Sequence, residues 1–96
     1  MILCAALEIS SPDFKPSGKL VIPCWRHAFG YSILYDLVGH KYPAKDIVEG
    51  FLTTDNLFLD RTDAFDHAFE CGQLSATTRQ TKLDNREIEL YSEDLY

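Results

Sequence analysis

The sequence predicts an α+β fold with a small mixed or antiparallel sheet and two helices packed on one of its faces. The chain has 96 residues, which is room for a single domain, 1–96, with one hydrophobic core. Apolar runs of strand length come in two pairs, and a segment with helical spacing follows each pair. This order lacks the strict strand–helix alternation of a parallel doubly wound sheet, so an α+β arrangement is favoured.

The first strand pair comprises residues 2–9 and 20–24. Residues 2–9 are apolar until Glu8, which is typical of a strand that begins in a core and becomes half exposed. A loop rich in proline and glycine, residues 10–18, separates the two runs. Because Pro23 has no backbone N–H, the second run is expected at a sheet edge or at a strand end.

The first helix is expected to start near Trp25 or Arg26 and to stop at Gly39, a residue favoured just beyond a helix C-terminus. Gly30 weakens this helix by roughly 1 kcal/mol relative to alanine, and it suggests that a neighbouring element packs closely there. An apolar stripe at helical spacing is expected to face the core. The stripe comprises Phe29, Ile33, Leu34, Leu37 and Val38.

Residues 48–53 and 57–59 flank a turn cluster and predict a β-hairpin. A connector, residues 40–45, precedes this hairpin. The second helix follows directly, with Asp60 as its N-cap and Gly72 at its end. The apolar face of this helix comprises Ala64, Phe65, Ala68 and Phe69.

The last quarter of the chain gives a weaker signal. Residues 75–86 are polar and show no period, so we expect a flexible segment there. Residues 88–96 regain apolar character and are expected to dock on the domain as a strand or a short helix.

Charge and cysteine content exclude several classes of protein. Nine basic against fifteen acidic residues give a net charge of −6, which repels a phosphate backbone, so we expect no nucleic-acid binding. No apolar run approaches the length of a membrane span, and we expect no signal peptide, because residues 1–3 lead directly into the first strand. Three cysteines, an odd number without a closely spaced pair, suit a reducing cytoplasm better than a disulfide framework.

The first candidate binding site is Trp25-Arg26-His27, at the start of the first helix. Backbone N–H groups at a helix N-terminus attract anions, a basic pair would reinforce them, and Trp25 could stack on a base. Tyr31 and Tyr35 follow His27 at four-residue steps and form a strip beside it. The plainer alternative is a core tryptophan, a surface ion-pair partner and half-buried tyrosines.

The second candidate binding site is Asp60-Arg61, at the start of the second helix. Asp60 is expected to act mainly as a cap. Arg61 lies in the first helical turn, where the helix dipole disfavours a cation. It therefore needs a compensating group, either Asp63 or Glu70 or an anionic ligand, unless the side chain simply extends into solvent.

Metal binding and catalysis receive little support. His67 and Cys71 are spaced for a shared ligand, but zinc sites usually contain closely spaced cysteines, so neither a metal nor a cofactor is expected. His27 with Cys24 or Asp60 resembles a base with partners, yet the common catalytic motifs are missing from the sequence. An enzyme is the less favoured interpretation.

Short motifs along the chain resemble those of a group of small phage and prophage proteins. The motifs are Arg26-His27, Gly50-Phe51-Leu52-Thr53, Phe58-Leu59-Asp60-Arg61, Gly72-Gln73 and Ser92-Glu93-Asp94-Leu95-Tyr96. The resemblance implies a phage accessory protein that works in the host cytoplasm. Such proteins often counter host defence, which leads to two hypotheses. The first is a non-enzymatic protein that sequesters a small anionic, nucleotide-derived signal at Trp25, Arg26, His27, Tyr31, Asp60 and Arg61, with a homo-oligomer as the expected assembly. The alternative is an inhibitor that binds a host defence protein through its acidic, tyrosine-rich surface.

Overall fold

A four-stranded antiparallel sheet, with strand order β2-β1-β3-β4, forms one layer of the protein. The computed structural model describes residues 1–39 and 42–95. The predicted edge position of the strand that contains Pro23 is confirmed, since β2 lies at one end of the sheet. The strands are β1 (Ile2–Ser10), β2 (Lys19–Cys24), β3 (Ile47–Thr53) and β4 (Phe58–Asp60).

Helices α1 (His27–Val38) and α2 (Arg61–Glu70) pack on the same face of this sheet. Side chains alternate along a strand, and β1 directs Ala5, Leu7 and Ile9 toward the helices, where all three are fully buried. The predicted α+β class, with helices on one face of an antiparallel sheet, is confirmed. Within the described residues, none of the helices is long and apolar enough to cross a membrane.

The core consists of two adjoining clusters, one beneath each helix. Beneath α1, Leu34 packs with Leu7, Ile9 and Ile22. The cluster beneath α2 reaches from the first strand to the C-terminal segment. It contains Ile2, Ala5, Cys24, Phe51, Ala64, Phe65, Ala68, Leu74 and Leu90.

The predicted core stripe of α1 is wrong in three of its five positions. Phe29, Ile33 and Leu37 are exposed, whereas the buried face is narrow and consists of His27, Gly30 and Leu34. Gly30 explains the difference. A Cβ atom at this position would lie 2.9 Å from the Sγ of Cys24 and 3.0 Å from Leu7. Because the missing side chain lets α1 settle closely on β1 and β2, the helix contacts the sheet along a single line, and its larger apolar side chains point outward.

The predicted hairpin and helix boundaries are confirmed. β3 and β4 pair in antiparallel register from Gly50 to Leu52, and Asn56 takes a left-handed φ of 63° in the turn. Asp60 caps α2 by accepting a hydrogen bond from the N–H of Asp63 at 2.8 Å. Gly39 and Gly72 end their helices with φ values of 74° and 78°.

A third helix, α3 (Ala76–Asp84), lies where the sequence predicts a flexible segment at 75–86. Its stability has a source other than an apolar stripe. Ser75 caps the helix by accepting from the N–H of Thr78, and Leu83 packs against the core beneath α2. Capping and a single apolar contact leave no hydrophobic period for a sequence pattern to detect.

The segment after α3 returns to the domain. Leu90 is fully buried, and its N–H donates to the carbonyl of Arg61 at 2.8 Å. Ser92–Asp94 then form a short 3₁₀ turn. We call residues 90–95 the C-terminal strap. Residues 40 and 41 of the predicted connector and residue 96 of the predicted tail lie outside the described residues.

Candidate binding site

A polar cluster fills the gap between α1 and α2 and brings together three of the predicted site residues, His27, Tyr31 and Arg61. Its fourth member is Glu49 of β3, which the sequence analysis missed. Glu49 pairs with Leu7 in the sheet register, so its side chain lies on the helix-bearing face. A carboxylate at an inward position of a strand is costly to leave unpaired, and this signal could have identified Glu49 from the sequence.

His27 is held as a neutral imidazole. Its Nε2 lies 2.7 Å from the carbonyl oxygen of Gly50, which only accepts, so Nε2 carries the hydrogen. Its Nδ1 then accepts from Arg61 at 3.3 Å. Burial lowers the pKa of His27, and the nearby guanidinium acts in the same direction. His27 therefore does not supply the positive charge that the anion-site hypothesis gives it.

Arg61 is compensated by Glu49, so the expected partners Asp63 and Glu70 are wrong. One Nη atom lies 2.7 Å from Glu49, and the other donates to the carbonyl of Leu90 at 3.0 Å. The Arg61 side chain is only 18% exposed. The helix dipole disfavours a cation in the first turn of α2, but Arg61 is tolerated there because these acceptors bind its guanidinium away from the helix axis.

Tyr31 completes the cluster on the α1 side. Its hydroxyl donates to the second carboxylate oxygen of Glu49 at 2.7 Å. Burial, together with this carboxylate, raises the pKa of Tyr31 to about 12. Burial alone would raise the pKa of Glu49, but hydrogen bonds from Arg61 and Tyr31 outweigh burial and hold it below its ordinary value. Glu49 is thus an anion fixed between a cation and a phenol.

The C-terminal strap engages the remaining cations around the cluster. Arg26 donates to the Oγ of Ser92 at 2.9 Å and lies 3.8 Å from Glu93. Lys82 of α3, only 7% exposed, contacts Asp94 at 2.9 Å. The ring of Tyr91 lies 4.8 Å from the Arg61 guanidinium and 4.7 Å from the Lys82 ammonium. These basic groups therefore already contact hydrogen-bond acceptors of the same chain, and some of those acceptors are carboxylates.

The other predicted site residues have different surroundings. Asp60 is used as the cap of α2, as its position suggested. Trp25 is 60% exposed and Tyr35 is 52% exposed. The structure therefore joins His27 to Arg61 directly and Tyr31 to Arg61 through Glu49, and it connects Arg26 to them through the strap.

A second feature of the site is the exposed side of α1, which we call the α1 outer face. Four large apolar side chains belong to it: three project from α1 at four-residue spacing, and the fourth precedes the helix by two residues. They are Trp25, Phe29, Ile33 and Leu37, with exposed fractions of 60, 57, 39 and 67%. Single exposed apolar residues are common, but a contiguous set is typical of an interaction surface. Helical spacing of apolar residues predicts a buried stripe, so three of these residues, Phe29, Ile33 and Leu37, are expected in the core and this face is not predicted.

The geometry gives catalysis and metal binding no new support. Both ring nitrogens of His27 are engaged, and burial raises the pKa of the Cys24 thiol, which disfavours the nucleophilic thiolate. His67 and Cys71 do approach each other, with Nε2 3.4 Å from Sγ. Within residues 1–39 and 42–95, the His, Cys, Asp and Glu side chains form no group of three that could hold a metal ion.

The fold and site define a small two-layer α+β protein in which a closed polar cluster fixes a helix with an exposed aromatic face. The sequence model of the Phage T4 y16D protein family matches residues 1–96, and the chain belongs to that family. The expectation of a phage protein is thereby confirmed. No curated protein and no solved structure matches the chain.

Proposed function

We propose that this phage protein is a non-enzymatic accessory protein that binds a host protein through the α1 outer face. The observation that carries the proposal is the exposure of Phe29 and Leu37 on one side of α1, and of Trp25 just before the helix begins. Aromatic anchors of this kind dominate the energetics of protein interfaces. Membership in a phage family makes a host defence protein the expected class of partner.

The polar cluster supports this proposal by fixing the helix that carries the face. Tyr31 of α1, Glu49 of β3 and Arg61 of α2 form a continuous chain of hydrogen bonds. A rigid helix presents its anchors at a low entropic cost on binding. The cluster is therefore best understood as support for the binding surface.

The test is capture of a host protein on the purified, immobilised phage protein. Wild type is compared with Phe29→Asp and Leu37→Asp, and Leu57→Asp is the matched control because Leu57 is 60% exposed and lies in the hairpin turn, outside α1. We expect a stoichiometric partner, identified by mass spectrometry, to be retained by wild type and the control and lost from the two α1 variants. Retention by all four proteins would overturn the proposal.

The acidic surface is tested by charge reversal at Glu89, which is exposed. Asp94 is unsuitable for this purpose because it forms a close ion pair with Lys82, and its reversal would disturb the strap. If Glu89→Lys abolishes capture while Phe29→Asp does not, the partner uses the acidic, tyrosine-rich surface instead of the α1 outer face.

A second candidate function is sequestration of a small anionic, nucleotide-derived signal. The observation that favours it is that Arg26, Arg61 and Lys82 all contact the strap, with the Tyr91 ring in contact with two of them. A ligand that displaces the strap would meet three cations and an aromatic ring, which suit phosphate and base recognition. Such a ligand must outcompete the contacts that the chain makes with itself.

Thermal-shift measurements with cyclic nucleotides and ADP-ribose-type compounds test this second candidate. A rise in melting temperature, followed by recovery of the intact compound after heating, would support sequestration. A chemically altered compound, whose formation stops in His27→Ala, would indicate an enzyme. The absence of a shift with every compound, together with a mass spectrum of protein purified from cells that shows no small molecule, would exclude this candidate.

A further inference from the structure

We infer that, in the free protein, a second copy of this chain covers the α1 outer face and forms a two-fold dimer of antiparallel α1 helices. The inference rests on the proposed function, which identifies the α1 outer face as a binding surface. It adds that a second copy of the chain covers this face when no partner is bound.

The spacing of the face is self-complementary. Trp25 and Leu37 lie equally far from position 31 along the chain, and so do Phe29 and Ile33. In an antiparallel pair with its axis near position 31, Phe29 therefore meets the second copy's isoleucine at position 33. Leu37 then lies near the start of the second copy's α1, which Trp25 precedes by two residues. A two-fold interface requires this kind of match, because the same patch serves both copies. Side chains four apart also form a ridge, and two such ridges interlock when helices cross at about −50°.

The charges of α1 allow the two copies to approach. Asp36 is the one acidic residue in α1, whereas the whole chain carries a net charge of −6. This helix is therefore a favourable surface for contact between two acidic molecules. The antiparallel pairing places each Asp36 opposite position 26 of the second copy, at the start of its α1. The first turn of α1 contains no acidic residue, so Asp36 would add a carboxylate where the helix dipole favours one.

The apolar area suggests a weak dimer. The exposed fractions of the four side chains, applied to side-chain areas of roughly 150–250 Å², leave about 400–500 Å² on each copy. With the polar residues beside the stripe, the total approaches the ~1,000 Å² that marks the lower end of biological interfaces. An interface of this size is typical of weak, transient association. Such a dimer shields the aromatic side chains and can still exchange for a partner.

Sedimentation velocity of the full chain, from about 1 µM to about 1 mM, tests the dimer. We expect the apparent mass to rise from one to two chains with concentration. Phe29→Lys and Ile33→Glu should each remain monomeric, whereas Leu57→Lys should dimerise like wild type. Because these positions are exposed, the variants should keep the wild-type circular dichroism spectrum and melting profile, which are checked in parallel.

Mixing the two interface variants tests the register. In the mixed dimer, the introduced lysine faces the introduced glutamate at one contact, and the native Phe29–Ile33 contact is kept at the other. Restored dimerisation supports the antiparallel pairing. A monomer at every concentration, a dimer that survives both single variants, or failure to dimerise on mixing would each overturn the inference. Capture of a host partner by a strictly monomeric protein would overturn the dimer alone. Dimerisation without any captured partner would overturn the proposed function alone.

Discussion

Replacing Arg61 with methionine tests the role of the polar cluster most directly. The substitution keeps most of the side-chain volume but removes the guanidinium that lies 2.7 Å from Glu49, 3.0 Å from the Leu90 carbonyl and 3.3 Å from the Nδ1 of His27. Three acceptors lose their donor. Because buried acceptors without a donor are unfavourable, the folded state should be destabilised.

The expected size follows from the burial of each acceptor. An unsatisfied buried group costs about 1–3 kcal/mol. The Glu49 side chain is 37% exposed and regains water when the guanidinium is removed, so its cost lies near the low end of that range. The same low-end cost is taken for the Leu90 carbonyl and for the Nδ1 of His27. The free energy of unfolding should fall by about 3 kcal/mol, which corresponds to a decrease of about 12–24 °C in melting temperature for a domain of this size.

Urea denaturation followed by circular dichroism measures this loss. Arg86→Met is the matched control, because Arg86 is exposed, and it should change the unfolding free energy by less than about 0.5 kcal/mol. A double-mutant cycle with Glu49→Gln should give a coupling energy of about 1 kcal/mol. If Arg61→Met costs no more than the control, the cluster does not hold α1 and α2 together.

Three further predictions concern pH, packing and the strap. The pKa values of His27 and Glu49 in the folded protein lie below their ordinary values of 6.5 and 4.5. As the pH falls, the unfolded chain therefore binds protons at these two residues before the folded protein does. The free energy of unfolding, measured by urea titration, should be full above about pH 6.5 and should decrease as the pH falls below about 6.5 and again below about 4.5. Gly30→Ala should lower the melting temperature despite better helix propensity, because the added methyl group meets Cys24 at 2.9 Å; an increase would contradict the close approach of α1. Lys82→Met should cost about 1–3 kcal/mol and speed amide exchange in the strap, since Asp94, only 15% exposed, loses its partner while Glu87, 50% exposed, regains water; unchanged exchange would show that the strap is held elsewhere.

Features that depend on neighbouring residues were predictable from the sequence. Pro23 marks an edge strand, Asp60 caps α2, and Gly39 ends α1, and in each case the signal is the chemistry of one residue at one position. The hairpin belongs to the same group, because a turn cluster between two apolar runs specifies it locally.

Features that depend on tertiary packing were not predictable in the same way. The buried side of α1 is decided by Gly30, which brings the helix so close to Leu7 that the larger apolar side chains face outward. Glu49 could be identified as unusual but not as the partner of Arg61, since the two meet only when β3 and α2 lie side by side. Helix α3 was missed because caps, rather than an apolar period, define it.

The difference between local signals and tertiary packing also applies to three of the six predicted binding residues. His27, Tyr31 and Arg61 do converge, but their charges are compensated within the chain, and a sequence pattern shows charges without showing their partners. The outward aromatic face of α1 thus replaces the basic cluster as the leading candidate surface.

The position of Leu90 has a consequence for how the protein is made. Leu90 shares one core cluster with Ile2, although nearly the whole chain separates them, and β1 lies at the centre of the sheet, where it needs both β2 and β3 as partners. When only the first strands have emerged from the ribosome, one edge of β1 is unpaired and the core beneath α2 is incomplete. The domain can therefore complete its fold only after residue 90 has emerged, at synthesis rates of about 5–20 residues per second. Until then, the nascent chain should depend on chaperones to keep its apolar strands from pairing with other chains.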